Sequence, residues 1–109
     1  MKNYKIFIFI PKDYIEQIIH SLQEFNVNKL GNYINCMSWC EMHSTWTSLD
    51  EAKPFIGKPG KVSMEEEYRL EFLCEESKVD EVVKYLKGIH PYEEPEIDVF
   101  ELKEGSSPT

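Results

Sequence analysis

Residues 61–75 read Lys-Val-Ser-Met-Glu-Glu-Glu-Tyr-Arg-Leu-Glu-Phe-Leu-Cys-Glu. Val62, Met64, Tyr68, Leu70, Phe72 and Cys74 fall on one side of an extended chain, and Ser63, Glu65, Glu67, Arg69, Glu71 and Glu75 on the other, because successive strand side chains point to opposite faces. The stretch predicts a long strand with one face in the core and one in solvent. Glu66 falls on the apolar side. A bulge or frayed strand start accounts for it; a buried functional carboxylate is the sharper alternative.

Downstream, Ser77 with Asp80 opens an amphipathic helix striped by Val79, Val82, Val83 and Leu86, which Gly88 and then His90-Pro91 bring to an end. A last strand starts near Pro95 and carries Ile97, Val99 and Leu102. Upstream, the β-branched and aromatic run Tyr4 to Ile10 reads as a strand buried on both faces and stopped by Pro11. Asp13 and Glu16 resemble a capping box for a helix over 13–25, in which Ile15, Ile18, Ile19, Leu22 and Phe25 recur at helical spacing. A polar turn over 26–32 contains Gly31, suited to positive φ, and a strand is expected around 34–43. The order is strand, helix, strand, strand, helix, strand: an α+β fold of the ferredoxin-like βαββαβ kind, with both helices on one face of an antiparallel sheet. Residues 1–103 make one domain in this reading, and 104–109 a flexible tail. The irregular stretch 44–60, with Pro54, Gly57, Pro59 and Gly60, is long enough to carry a function or an oligomer contact.

The charge balance narrows the partners. Twelve basic against twenty acidic residues give −8, which disfavours nucleic acid and anionic membrane surfaces. No apolar run approaches the ~20 residues of a membrane helix, nor does the N-terminus form a signal peptide. Cys36, Cys40 and Cys74 make an odd count; Cys36 and Cys40 on one strand would stand about 13 Å apart, too far for a disulfide. They read as core thiols in a reducing, cytoplasmic compartment.

The segment Gly88-Ile89-His90-Pro91-Tyr92-Glu93-Glu94-Pro95-Glu96-Ile97 resembles the histidine-proline-tyrosine motif of the CutA family. It is closer still to the CutA-like (PII-like) domain of YqfO-type proteins in the NGG-interacting-factor-three family. Gly31-Asn32-Tyr33, Cys36, Ala52, Pro54-Phe55-Ile56-Gly57, Gly60, Glu67, Arg69 and Glu71 follow the same order and spacing. The family's glycines before the aromatic at Trp46 are replaced by Met42-His43-Ser44-Thr45. In larger members this module is inserted into a di-metal-binding domain, whose ligands this sequence lacks, so the module is read as standing alone. The resemblance implies a ferredoxin-like fold and, by analogy with CutA, a homotrimer whose sheet edges pair between subunits.

Two readings of the motif stand side by side. Structurally, Pro91 forces His90 out of helical geometry, Tyr92 buries its ring and finds a partner for its hydroxyl, and Pro95 suits an edge strand. Functionally, His90, Glu93 and Glu94 offer an imidazole and two carboxylates that could hold a divalent cation once a neighbouring subunit or His43 completes the shell. Trp46 and Tyr92 are the candidate ligand-binding aromatics, and Trp39, Trp46 and Phe55 suggest an interface or a cleft. Cys40 and His43 point to opposite faces and form no joint site, and His20 sits at a helix end where the dipole accounts for it. No nucleophile elbow or phosphate loop is present. The expected function is a non-catalytic, oligomeric binding or regulatory module for a metal ion or small ligand, or alternatively a protein-interaction module.

Overall fold

The computed structural model describes residues 2–103; the expected tail at 104–109 lies outside the described residues. Strand β1 (Asn3–Pro11) leads through a 3-10 turn at Lys12–Tyr14 into helix α1 (Ile15–Leu22), which closes in a second 3-10 turn at Gln23–Phe25. Strands β2 (Ser38–Thr47) and β3 (Val62–Glu75), helix α2 (Glu76–Ile89) and strand β4 (Ile97–Leu102) complete the order. The four strands form one antiparallel sheet in the order β2-β3-β1-β4, the ferredoxin-like arrangement.

Strand alternation decides the core. Ile6, Ile8 and Ile10 of β1 and Leu70, Phe72 and Cys74 of β3 all turn to the helix face, where Ile15, Ile18 and Leu22 of α1 and Val82 and Leu86 of α2 bury against them. Each such side chain contributes roughly 1.5–3 kcal/mol of burial. The Cys74 thiol sits in this layer, and burial pushes its pKa up to about 11. Among the described residues no helix is long and apolar enough to cross a membrane.

Several local expectations are corrected. The β1–β3 and β2–β3 registers run without a bulge, with His43 opposite Glu66. Glu66 is neither buried nor a defect: it lies at the sheet rim and binds the Lys12 ammonium at 2.7 Å, which lowers its pKa. Neither helix start is capped by a side chain. The turn after Pro11 begins at Lys12, so Asp13 does not stand at the cap of α1. Helix α2 begins at Glu76, one residue before Ser77, and its first N–H goes to the Lys2 carbonyl at 3.0 Å. It passes through Gly88 and ends only where Pro91 forces His90 into an extended conformation.

Strand β2 starts four residues later than expected because 26–36 is folded as a turn. Asn26, Asn28, Gly31 and Asn35 all have positive φ. Asn35 accepts the Val27 N–H on its side-chain oxygen at 2.9 Å, and the Asn28 side chain donates to the Cys36 carbonyl. Asparagine tolerates the left-handed region and replaces backbone partners with its own amide, so this stretch closes on itself rather than pairing. The cysteines are free, but only Cys74 is a core thiol: Cys36 is half-buried and Cys40 exposed, because Cys40 pairs with Arg69 on the face away from the helices.

Candidate functional site

The face of the sheet opposite the helices was expected to be solvated. At its β2–β3 end it is not: Ser63 is 8% exposed and Glu67 4%. Two segments of irregular chain cover it. Residues 48–61 fold back after β2, held by Gly60 N–H to the Ser48 carbonyl at 2.6 Å, Ala52 N–H to Leu49 at 3.0 Å, and Lys61 N–H to Lys58 at 3.2 Å. Gly57, at φ +93, passes so near Ser63 that a Cβ would collide with its Oγ. Residues 90–96 cross the end of the sheet between α2 and β4, and the Lys53 N–H donates to the Glu93 carboxylate at 3.0 Å, joining the two segments.

The anchor of the second segment is His90, 7% exposed. Its Nε2 lies 2.6 Å from the Phe9 carbonyl oxygen, and its Nδ1 accepts the Tyr92 N–H at 3.0 Å. Nε2 therefore carries the proton, since a carbonyl only accepts, and the ring is neutral. Burial lowers its pKa, opposed by the Phe9 bond and the Glu67 charge. Pinned in this way, His90 turns Tyr92 over the sheet, where its hydroxyl donates to Glu67 Oε2 at 2.6 Å. Burial first, and that carboxylate second, raise the Tyr92 pKa.

Between the segments lies a cavity of about 490 Å³. Trp46 and Tyr92 stand 5.9 Å apart at its wall, and Phe55 lies 6.2 Å from Tyr92. Phe9 and Glu67 belong to the sheet beneath it, and Glu51, Glu93, Glu94 and Glu96 bring further carboxylates to its lining. Burial, with Asp98 and Glu67 nearby, raises the Glu96 pKa.

The structure thus brings Trp46, Tyr92, Glu93 and Glu94 around one cleft and leaves His90 behind Tyr92, with both ring nitrogens engaged. Glu93 spends one carboxylate oxygen on the Lys53 N–H. Among the described residues no group of three or more His, Cys, Asp or Glu side chains is placed to hold a metal ion. The donor set within one chain does not fit a divalent cation. His43 is exposed at the sheet rim, 4.0 Å from Glu66, and is not near the others. Sequence reasoning missed Glu67 as a buried group: alternation correctly gave its face, but only the folded-back segments make that face an interior.

A ferredoxin-like sheet whose open face is roofed by the β2–β3 loop and the α2–β4 crossover is the frame of a small α+β domain. Residues 57–109 match the family model described as CutA1 divalent ion tolerance protein. A GTP cyclohydrolase 1 type 2 homolog of Staphylococcus epidermidis is 33% identical over 103 residues, covering 94% of this chain and 28% of that protein. The Bacillus subtilis protein of the same name is 32% identical over 100 residues, covering 92% of the chain and 27% of its own length. Among solved structures, a Bacillus cereus protein related to NIF3 matches with a TM-score of 0.80 at 26% identity, over 94% of this chain and 26% of that one. CutA1 from Oryza sativa matches with a TM-score of 0.72 at 19% identity, over 97% and 84% respectively, which is likeness of fold. The chain thus carries a CutA1 family domain over 57–109 and is similar along most of its length to one segment of NIF3-related proteins. It spans only about 28% of the length of the curated relatives it matches.

Proposed function

We propose that the chain is a non-catalytic binding module whose cleft between 44–60 and 90–96 takes a small organic ligand, with Trp46 and Tyr92 as its principal contacts. The observation that carries this is the cavity itself: about 490 Å³ lies in the range of small-molecule sites, and apolar aromatic walls with a few fixed polar groups are what such sites use. The hydroxyls that line it, Ser44, Thr45, Thr47 and Ser48, offer further polar contacts to such a ligand. The cyclohydrolase name belongs to relatives several times longer. Residues 1–103 are taken as one domain, since all four strands share one sheet.

The domain is further read as a homotrimer. Trp39 is 51% exposed and Phe100 55%, and they sit on β2 and β4, the two edge strands of the sheet, so edge pairing between copies would cover apolar surface. Three unpaired thiols support a reducing, cytoplasmic setting. A net charge of −8 argues against nucleic acid or anionic membranes as partners.

A second reading, divalent-cation binding, has the family description behind it. It would use Glu93 and Glu94 with donors from another subunit, and His90 would join only by breaking its bond to Phe9. Native mass spectrometry of the full chain, with and without Zn²⁺ and Cu²⁺ and across a panel of amines, amino acids and nucleotides, separates these. A trimer with a one-per-subunit organic adduct that Trp46→Ala abolishes supports the first reading. Stoichiometric metal lost in Glu93→Gln with Glu94→Gln supports the second, and a monomer with neither adduct rejects both.

A further inference from the structure

The cleft has an unusual charge for an aromatic pocket. Among the described residues five glutamates line it, and no lysine, arginine or histidine does. The deepest of them, Glu67, is 4% exposed and receives the Tyr92 hydroxyl at 2.6 Å; among the described residues no ion pair includes it. A carboxylate taken out of water in this way is costly unless a cation compensates it. Beside it stand the Trp46 and Tyr92 rings, 5.9 Å apart, with Phe55 6.2 Å beyond Tyr92. Ring faces carry negative charge density and attract cations, most strongly when both are desolvated.

Resting on the small-ligand reading above, we infer that the cleft is built for an organic cation: a small molecule with an ammonium, quaternary ammonium or guanidinium head held between Glu67 and the Trp46 and Tyr92 rings, and an apolar body against Phe55. Each part of the lining selects for this class. The rings offer no hard donor for a bare metal ion, and a cavity of about 490 Å³ exceeds what one ion needs. Nucleotides, phosphates and carboxylic acids would bring negative charge against Glu51, Glu67, Glu93, Glu94 and Glu96. The crowding is already felt without a ligand: Glu96 is held above the usual carboxylate range by burial and by its neighbours Asp98 and Glu67, a strain that an incoming positive charge relieves. The net charge of −8 draws cations towards the whole surface.

The test uses three probes of similar ring and size: benzyltrimethylammonium, benzyl alcohol and benzoate. Binding to the full chain is read by Trp46 fluorescence in a Trp39→Phe background, which leaves Trp46 as the single tryptophan. The cation is expected to saturate the signal at least about tenfold more tightly than the alcohol, with benzoate weaker than both. Glu67→Gln should weaken the cation about tenfold and leave the alcohol unchanged; its melting curve checks the fold. Glu94→Gln, on an exposed side chain, is a second variant that does not touch the interior and should weaken the cation by about twofold, an effect that salt erases. Equal affinity for cation and alcohol would sink the cation inference and leave the small-ligand reading standing. Preference for benzoate would also sink it, and no saturation by any of the three would sink both.

Discussion

Replacing Tyr92 with phenylalanine removes one oxygen atom and keeps the ring, its packing against His90, Trp46 and Phe55, and the backbone N–H that His90 accepts. What is lost is the 2.6 Å hydrogen bond to Glu67, and what remains is a carboxylate 4% exposed without that donor. Hydrogen bonds to charged groups contribute roughly 1.5–3 kcal/mol, so Tyr92→Phe is expected to destabilise the fold by about 2 kcal/mol. For a domain of this size that is a melting-temperature drop of roughly 8–16 °C. Urea unfolding followed by far-ultraviolet circular dichroism gives the free energy directly, and the slope with denaturant should not change. The double variant Tyr92→Phe with Glu67→Gln provides an internal control. If the penalty is a stranded charge, neutralising that charge should restore part of the loss, making the double variant more stable than Tyr92→Phe alone. A Tyr92→Phe protein that melts within about 2 °C of the parent, or a double variant that simply adds the two losses, would refute the idea that this bond compensates a buried carboxylate.

Three further outcomes are expected. Burial holds the His90 pKa below its ordinary value, so the unfolded chain takes up the proton first as pH falls; stability present above about pH 6.5 should decline below it, and His90→Gln should flatten that slope when urea midpoints at pH 7.5 and 5.5 are compared. Gly57→Ala would place a Cβ against Ser63 Oγ at φ +93, and is expected to cost about 1–3 kcal/mol in urea unfolding and to loosen the cleft; an unchanged midpoint would mean that 48–61 is not held as described. In native protein a thiol reagent should modify the exposed Cys40 quickly and Cys74, buried with its pKa near 11, only on unfolding, as peptide mapping by mass spectrometry would reveal.

Much of the fold was legible in the sequence. Strands and helices have periods of 2 and about 3.6, so the apolar runs of β1, β3, α1 and α2 declared their type from local spacing alone; their buried faces followed only in part, since β1 buries Ile6, Ile8 and Ile10 but leaves Phe7 and Phe9 half-buried, and Val62 and Met64 of β3 are exposed. The motif from His90 to Pro95 likewise marked the crossover that shapes the cleft, because Pro91 disfavours helical geometry at the residue before it. Element ends were less legible: they depend on which partner each terminal N–H finds, such as the Lys2 carbonyl at the start of α2, and on the asparagine turn that delays β2. Tertiary structure alone decided the character of the site. Glu67 sits on the polar side of an alternating strand and reads as solvated, yet segments 48–61 and 90–96, distant from it in sequence, roof it over. His90 reads in sequence either as a structural turn residue or as a metal ligand, and folding commits both its ring nitrogens, one of them to Phe9 at the other end of the chain. Periodicity fixes which way a side chain points, but burial and hydrogen bonding are set by what arrives from elsewhere, and only the folded chain brings it there.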